Sequence, residues 1–512
     1  MAPRSSADGR RARSAALYRY EETARFITDL VDHGTLLAGA RAPSLRQIAR
    51  QRRVSLSTAL QAYRVLEDRG ILQARPQSGF YVAKGGPISM ETPAISRPPQ
   101  RAATVAVAGV VPKLLEYATD PTLVPLGCAI PDAKLLAAGR LDRFLARAAR
   151  AKGVDYNVYT VPRGDRHLRR EIARRALRWG QVLSHEDIAI TCGCSEALFL
   201  ALRVVSRPGD TIAVESPTYF GFLQVLEALE LRALELPTDA RSGLDLTVLQ
   251  RALRAGSIKA CLFSSSFNNP LGCTMSDDRK QTVLDLLARH RVPLIEDDIY
   301  GDIYFGDERP KPFMALDPHG STIYCSSFSK TIAPGYRIGW IATGRYLGKI
   351  LDRKFAFTMC GPALPQAAMA QFLGSGGYDN HLRRLRRTFR DNIDRMIRTI
   401  DRAFPKGTRV SRPDGGFVLW LELPKPVASR ELFGAALKRG VCFVPGDVFS
   451  TSQRYDHCLR VSCGSAWTTR IEKGLETLGE LASTLLARRG RSSPPGRAGR
   501  PRECTLTRDD RS

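Results

Sequence analysis

The fold of this chain is decided by the stretch Ser326-Ser327-Phe328-Ser329-Lys330-Thr331-Ile332-Ala333-Pro334-Gly335-Tyr336-Arg337-Ile338-Gly339-Trp340. It continues an apolar run over 322–325, which predicts a buried strand, and it leads into a second strand-like run over 336–342. One lysine, several hydroxyls and one arginine lie between the two strands. A lysine flanked by anion-binding groups suits Schiff-base chemistry on a phosphorylated aldehyde, because the amine attacks the aldehyde while hydroxyls and guanidinium hold the phosphate. Taken alone, Lys330 is equally explained as a solvated surface lysine.

Three other segments place polar groups at the ends of predicted strands. Residues 264–272 contain Asn269 and follow the apolar run 259–263. The apolar run that starts at 292 ends in the carboxylates 296–298, and the run 188–191 leads through Gly193 into a helix start. Four strand ends therefore supply an amide, a carboxylate, a helix N-terminus suited to phosphate and an amine.

In order and spacing, these four motifs resemble the fold-type I, class I aminotransferases, which depend on pyridoxal 5'-phosphate (PLP). The resemblance covers roughly residues 113–485. It implies that Lys330 forms the Schiff base and that Asp297 pairs with the pyridine nitrogen, so that the ring withdraws electrons. It also implies that Tyr300 and Asn269 hydrogen-bond the phenolic oxygen of the ring.

The same resemblance assigns the remaining site residues. Arg460 would bind a substrate carboxylate, Tyr219 would stack on the ring, and Tyr159 would reach the phosphate of a neighbouring subunit. The phosphate would be held by Gly193, Cys194, Ser195, Ser327, Ser329 and Arg337. Cys192, Cys194 and the pair Ser195-Glu196 depart from the usual pattern of the family, which concerns the phosphate loop.

Several of these residues also have ordinary structural explanations. Asp297 could cap a helix, Tyr219 and Tyr159 could be packing aromatics, and Arg460 could be a surface charge. We weigh the four motifs jointly, and together they favour the cofactor site.

Composition sets the broader limits. The 512-residue chain has a formal charge of +26, and its arginine-rich composition does not by itself establish nucleic-acid binding. Eleven cysteines show no metal-binding spacing, which predicts a reducing, cytoplasmic protein without metal or disulfides. We find no membrane span or signal sequence in the pattern and expect no membrane association.

The N-terminal region has its own pattern of helices and turns. Helical runs from Tyr20, over 45–50 and over 56–68 precede two strands around a turn at 76–79, which is the order of a winged helix-turn-helix. Residues 43–49, 54–58 and 78–82 resemble the GntR-type DNA-binding domain. Fifteen Arg or Lys against seven Asp or Glu within residues 1–84 favour DNA over the alternative of a protein-contact module.

The resemblance implies a specific DNA-facing surface. Its residues are Arg46, Ser55, Ser57, Thr58, Gln61 and Gly79, with Ser55 also a candidate N-cap. Leu56 replaces the arginine usual in the family, so that one DNA contact is lost or a thymine methyl is contacted instead.

We therefore predict five segments. They are a disordered basic N-terminus (1–16), a GntR-type winged helix (17–83), a linker (84–112), an α/β aminotransferase-like domain with a mostly parallel sheet and a small C-terminal α+β subdomain (113–486), and a disordered arginine-rich tail (487–512). The tail would either add nonspecific DNA affinity or aid solubility.

This combination resembles the MocR-type bacterial transcription regulators. It implies a cytoplasmic, head-to-tail homodimer that binds double-stranded operator DNA and senses PLP or a small amino compound. An active aminotransferase with an accessory DNA-binding domain is the main alternative, because the residues of the catalytic motif are retained. A regulator that senses PLP without an amino ligand is a third hypothesis.

Overall fold

The computed structural model describes residues 19–491, except 38, 69–70, 76–77, 83–89, 96, 108–110, 152–155 and 453. The chain divides into two compact units, the first ending at Met90 and the second beginning at Glu91. The predicted disordered segment 1–16, the first half of the wing turn at 76–77 and most of the predicted tail lie outside the described residues.

The first unit has the predicted order of a winged helix. Its elements are α1 (Arg19–Asp32), α2 (Leu45–Arg52), α3 (Leu56–Asp68), β1 (Leu72–Arg75) and β2 (Gly79–Val82). The two strands form an antiparallel hairpin in which Leu72 pairs with Val82 and Arg75 with Gly79. The helix-turn-helix formed by α2 and α3 is therefore followed by a two-stranded wing.

Local capping explains why α2 and α3 begin where they do. Ser44 and Gln47 form a reciprocal capping box at the start of α2. Ser55 caps α3, because its Oγ accepts a hydrogen bond from the Thr58 N–H at 3.0 Å. The buried Tyr63 on α3 donates its hydroxyl to the Pro43 carbonyl at 2.6 Å. This bond fastens α3 to the residues that precede α2.

The second unit alternates strands and helices along the chain. Its strands are β3 (Ala103–Thr104), β4 (Val124–Pro125), β5 (Ile188–Cys192), β6 (Thr211–Ser216), β7 (Arg232–Asp239), β8 (Gly243–Leu244), β9 (Ile258–Phe263), β10 (Leu294–Asp297), β11 (Thr322–Ser327), β12 (Ile338–Ala342), β13 (Arg409–Val410), β14 (Val418–Glu422), β15 (Val441–Cys442), β16 (Val444–Pro445) and β17 (Cys458–Ser462). Its helices are α4 (Val111–Thr119), α5 (Ala138–Ala149), α6 (Arg166–Ala176), α7 (Gly193–Val205), α8 (Phe220–Ala228), α9 (Leu246–Arg254), α10 (Asp277–His290), α11 (Phe313–Leu316), α12 (Leu347–Phe357), α13 (Ala363–Gly374), α14 (Gly377–Ala403), α15 (Ser429–Lys438) and α16 (Thr469–Arg491).

The main sheet of this unit brings the predicted motifs to one edge. Its strand order is β3-β7-β6-β9-β10-β11-β12-β5, with β8 paired to β7. Strands β7, β6, β9, β10 and β11 are mutually parallel, and β12 is antiparallel to both β11 and β5. β5 therefore runs in the same direction as β11. The carboxyl ends of β5, β10 and β11 consequently meet at one edge of the sheet.

Burial on both faces explains the continuous apolar runs in these strands. The residues of β6, β10, β11 and β12 are all buried, as a mostly parallel sheet covered by helices requires. Helix α7 packs on one face, where Ala197, Leu200 and Ala201 join a large apolar cluster. The polar residues at the strand ends are thus attached to a rigid core.

A smaller C-terminal α+β subdomain completes the unit, as the sequence predicts. Its sheet has the order β13-β14-β17-β16 and is antiparallel. Arg460 lies on the central strand β17, paired with Trp420 of β14 and Val444 of β16. The helix α14, 27 residues long, precedes this sheet in the chain.

The predicted linker and tail need correction at their inner ends. The second unit begins at Glu91, and β3 pairs antiparallel with β7 inside the region assigned to the linker. The Val410 N–H also donates to the Glu91 carbonyl at 3.0 Å. A two-residue edge strand is too short to show a periodic pattern. The composition of this segment therefore predicted a linker instead of a strand. At the other end, α16 continues to Arg491 instead of stopping at 486.

Within the described part of the chain, no helix is both long and apolar enough to span a bilayer. The cysteines of that part are free thiols.

Candidate active site and nucleic-acid interface

A cavity of about 360 Å³ opens at the sheet edge where β10 and β11 end. Residues from β17 and from the loop after β4 complete its wall. Of the residues predicted from the sequence, the following line it: Cys194, Ser195, Tyr219, Asn269, Asp297, Tyr300, Ser327, Ser329, Lys330, Arg337 and Arg460. The structure therefore gathers side chains that are more than 260 positions apart in sequence into one site.

Lys330 follows β11, and its amine binds a backbone carbonyl of the cavity wall. Its Nζ donates a hydrogen bond to the Ala129 carbonyl at 2.6 Å. Burial lowers the pKa of Lys330 to about 8, assisted by Arg460 and Arg337 and opposed by Cys128 and Asp297. The neutral, nucleophilic amine is therefore accessible much closer to neutral pH than for an ordinary lysine.

Asp297 is the last residue of β10, and its carboxyl group is buried. Its Oδ1 accepts one hydrogen bond from the Ile299 N–H at 3.1 Å. Burial raises the pKa of Asp297 to about 7, with Asp298 and Glu296 acting in the same direction and Lys330 opposing them. A buried carboxyl group that accepts so few hydrogen bonds is well suited to pair with a cationic N–H group. That observation favours the cofactor role over the helix-cap explanation.

The start of α7 and the Arg337 guanidinium form a cradle for an anion. Gly193 opens the helix with φ of 75°, and a Cβ there would lie 2.4 Å from Arg337 Nη2. Arg337 itself donates to the Cys192 carbonyl at 3.1 Å. Glycine is therefore required for the guanidinium to pack against the helix N-terminus, where backbone N–H groups favour a phosphate. Ser195 is exposed at this end of α7.

Glu196 explains how the departure from the usual loop sequence is accommodated. Its carboxylate accepts from the Cys192 N–H and pairs with the buried Lys354 ammonium at 3.0 Å. Thr358 also contacts the same carboxylate. The acidic residue thus stabilises the turn before α7, and a lysine from α12 neutralises it.

Ser327 ends β11, and Ser329 lies on the loop that leads to Lys330. Both are buried, and the Ser327 Oγ accepts from the Ser329 N–H at 3.3 Å. This bond bends the chain so that both residues line the cavity.

Arg460 is almost fully buried but has no carboxylate partner in the described residues. Its Nη1 donates to Asn269 Oδ1 at 3.1 Å, its Nη2 donates to the Gly127 carbonyl, and its Nε is buried without a partner. The guanidinium lies 5.4 Å from the Phe449 ring centre and 5.8 Å from that of Phe220. Burial lowers the pKa of Arg460. The surface-charge explanation is wrong, and an incoming carboxylate would satisfy this cation.

Tyr219 and Tyr300 add aromatic surface to the cavity. Burial raises the pKa of Tyr219 to about 12 and also raises that of Tyr300, so both keep their protons. A Cβ at Gly221 would lie 2.3 Å from the Tyr219 ring, so the glycine is needed to seat that ring. Asn269 uses its oxygen for Arg460, which leaves its amide N–H groups to donate.

Tyr159 lies outside the cavity. Its side chain is 83% exposed, next to the exposed Val158 and Val161. The structure of one chain therefore does not bring it to the other site residues.

Sequence reasoning missed the segment Gly127–Ala129 on the cavity wall. Ala129 receives the Lys330 hydrogen bond, Gly127 receives that of Arg460, and Cys128 also lines the cavity. This segment is placed by β4 pairing with β15, a contact between Val124 and Val441. A pairing over such a sequence distance leaves no local signal.

The first unit presents the predicted DNA-facing residues on its surface. Arg46, Ser55, Ser57, Gln61 and Gly79 are exposed, and Thr58 is half-buried. The Ser55 hydroxyl lies 2.8 Å from that of Ser57 and 2.7 Å from that of Thr58, so these groups are ordered before any partner binds. Leu56 is 53% exposed at the start of α3, where the recognition helix of such a domain enters the groove.

Comparisons with known proteins agree with both units. Residues 132–478 match the family model of class I and II aminotransferases, and residues 19–82 match that of the bacterial regulatory proteins of the gntR family. The uncharacterized HTH-type transcriptional regulator YdcR of Escherichia coli is 37% identical over 91% of this chain and all of its own length. YjiR of the same organism, with the same description, is 36% identical over 90% of this chain and 98% of its own.

A solved structure resembles the second unit closely. It is LysN, the alpha-aminoadipate aminotransferase of Thermus thermophilus, complexed with N-(5'-phosphopyridoxyl)-L-leucine. The two share 28% identity with a TM-score of 0.69, over 74% of this chain and 95% of that one.

Fold and site together define a PLP-dependent protein of the fold-type I aminotransferase class joined to a winged helix. The chain belongs to the MocR-type family of transcription regulators, in which a GntR-type DNA-binding domain is fused to an aminotransferase-like domain.

Proposed function

We propose that this regulator senses a small amino compound, or PLP itself, in the cavity around Lys330 and passes the signal to operator DNA through its winged helix. The observation that carries the proposal is that Lys330, Asp297 and Arg460 share one cavity in a chain that also carries the winged helix. We include an operator DNA, a small effector and a homodimer in this proposal.

Each part of PLP has a matching group in the cavity. The cradle of Gly193, Ser195 and Arg337 would hold the phosphate, and Asp297 would hold the proton on the ring nitrogen. When bound, PLP supplies an aldehyde that reacts with amines and an electron-withdrawing ring. Lys330, with its lowered pKa, supplies the amine that attaches the cofactor.

Arg460 distinguishes the possible effectors. Its buried guanidinium has a free Nε and no carboxylate partner in the described residues, so we assign it the carboxylate of an amino acid or of a related amino compound. An effector without a carboxylate would leave this cation uncompensated. A regulator that responds to PLP alone would not need Arg460 for its response.

A homodimer with head-to-tail exchange would complete the site. The exposed apolar residues Val158, Tyr159 and Val161 form a surface that a second copy could cover. The family resemblance directs Tyr159 to the phosphate of the partner. A dimer would also present two winged helices to two half-sites of an operator.

The alternative function is an active aminotransferase. It is favoured by the presence of the amine, the ring-nitrogen carboxylate and the substrate arginine in one cavity. In that case the residues would perform the same binding steps but with repeated turnover, and DNA affinity would not depend on the amino compound.

One experiment tests the proposal against this alternative. Duplex DNA from the promoter of this gene is titrated with the full chain, with and without PLP and a set of amino acids, and transamination with 2-oxo acids is followed on the same sample. We expect at least one amino compound to change DNA affinity while turnover is slow or stops after one half-reaction. Arg460→Ala should abolish that change and leave PLP binding and basal DNA binding intact. Fast turnover with unchanged DNA affinity would support the enzyme instead.

A further inference from the structure

A second concave site lies on helix α14, within the second unit. It is a groove of about 440 Å³ lined by Arg383, Arg386, Arg387 and Arg390 of α14, by Arg178 and by the loop that carries Tyr304 and Phe305. The four α14 arginines are spaced i, i+3, i+4 and i+7, so they share one helix face. The groove is therefore built from one basic helix face and two flanking segments.

The charges in the groove do not balance. Five arginines and two aspartates, Asp307 and Asp379, line it among the described residues. Asp379 is already engaged, because Arg178 binds both of its oxygens at 2.5 and 2.6 Å and Arg175 binds one at 3.0 Å. Like charges at these helix spacings repel, so an anion would relieve the repulsion.

The groove arginines differ in how strongly other protein groups already bind their guanidinium groups. Arg386 stacks on the Tyr304 ring at 3.6 Å and donates to the Asp302 carbonyl at 2.8 Å, which fixes its orientation. Arg383 is exposed and donates to the neutral Asn380 side chain. Arg387 is exposed and makes no ion pair within the described part of the chain. The exposed guanidinium groups of Arg383 and Arg387 thus lie beside the anchored Arg386 on the same helix face.

We propose that this groove binds a small phosphate-bearing anion, separate from the PLP phosphate. Guanidinium groups bind phosphate oxygens with paired, charge-assisted hydrogen bonds. The volume is that of a small-molecule site, and the concave wall with two aromatic rings suits a compact ligand better than an extended phosphate backbone. We infer the chemical class of the ligand from the number of guanidinium groups on one helix face and from the excess positive charge.

The first turn of α14 connects the groove to the segment that carries Lys330. Asp379 lies in the first turn of α14, between Tyr378 and His381. The Tyr378 hydroxyl lies 2.8 Å from Thr331 Oγ1, and His381 Nε2 lies 2.6 Å from the Thr331 carbonyl. An anion that draws Arg178 away from Asp379 would therefore loosen the helix turn that holds the residue after Lys330. Occupancy of the groove should change how firmly the cofactor is retained.

The test uses the full chain saturated with PLP, so that the cofactor cradle is filled. Pyrophosphate binding is measured by calorimetry in the wild type, in the R383Q/R387Q double variant and in the single variant R398Q. Arg398 is on α14 but outside the groove, so R398Q controls for the loss of one arginine from this helix. We expect saturable binding, at least tenfold weaker in R383Q/R387Q and within twofold of wild type in R398Q.

A second readout tests the coupling to Lys330. The rate of PLP loss is followed with and without pyrophosphate at constant ionic strength. We expect at least a twofold change in the wild type and in R398Q, and no change in R383Q/R387Q. Nonsaturable binding, or equal weakening in both variants, would overturn the site. If pyrophosphate does not bind but R383Q/R387Q weakens duplex-DNA binding by the chain, the arginines contact DNA phosphates. That result would overturn the small-anion proposal. Neither readout depends on operator recognition, so failure of the proposed regulatory function leaves this test intact.

Discussion

The cofactor cavity and the DNA-facing surface differ in how their side chains are held. In the cavity, Arg460 is 1% exposed and Asp297 is 5% exposed, and each has an identified partner. On the winged helix, Arg46 and Gln61 are exposed to solvent. Burial lowers the pKa of Lys330 and raises that of Asp297 in the cavity. The cavity side chains are therefore held in place before a ligand binds, whereas exposed side chains such as Arg46 and Gln61 would be fixed only by contacts with DNA.

The largest expected effect follows from replacing Lys330. Lys330→Ala removes the amine that attaches the cofactor, so covalent PLP should be lost completely, although some noncovalent binding to the cradle at Gly193 and Arg337 remains. Borohydride trapping followed by mass spectrometry measures the attached cofactor. Covalent cofactor at an undiminished level in this variant would show that another lysine is used.

Replacing Asp297 should weaken PLP binding strongly. Asp297→Asn removes the buried carboxylate that we propose pairs with the cationic ring nitrogen, and a hydrogen bond to a charged group contributes about 1.5–3 kcal/mol. We therefore expect PLP affinity to fall roughly 10- to 150-fold. Equilibrium dialysis of PLP measures this loss. Asp278→Asn, at an exposed position of α10, is the control and should leave affinity unchanged; equal losses in both would contradict the role of Asp297.

An intermediate effect is expected on the DNA surface. Arg46→Ala should cost about 1–3 kcal/mol if the guanidinium contacts a base, and the loss should depend on the operator sequence. Gel-shift titrations with the operator and with a scrambled duplex distinguish a contact to a base from a contact to a phosphate. Arg25→Ala on α1 serves as the control for loss of an exposed arginine. An equal loss on both duplexes would restrict Arg46 to a phosphate contact.

Leu56 offers a sharper comparison between the two kinds of DNA contact. Leu56→Arg places a charge at the exposed start of α3, so the slope of log affinity against log salt should steepen by about 1. If Leu56 contacts a thymine methyl, the same variant should lose preference for the thymine. A slope that does not change would show that this position faces away from the phosphates.

The smallest expected effect concerns pH. Burial lowers the pKa of Lys330 to about 8, and only the neutral amine attacks an aldehyde. The rate at which apoprotein captures PLP should therefore rise with pH up to about 8 and level off above it. Visible absorption after rapid mixing measures the rate. A rate that still rises tenfold per unit above pH 9 would indicate an ordinary lysine.

The sequence predicted the strands and helix starts that carry the chemistry, because each one is a local pattern. The apolar run ending at Asp297 and the turn at Gly193 are visible without any partner segment. The pairing of β4 with β15, which positions Ala129 against Lys330, joins residues over 300 positions apart and has no local signature. The edge strand β3 was missed because two residues are too few to show a periodic pattern. Tyr159 remains a prediction, because its role requires a second chain.

The central claim is that one chain couples an amino ligand in the Lys330 cavity to operator DNA. The direct measurement is a reciprocal pair of affinities on the PLP-loaded protein: operator DNA with and without the amino compound, and the amino compound with and without operator DNA. Linkage requires both affinities to change by the same factor, and we expect a factor of about 5 to 150. If neither ligand changes the affinity for the other and transamination is rapid, the proposed coupling between the cavity and operator DNA is wrong.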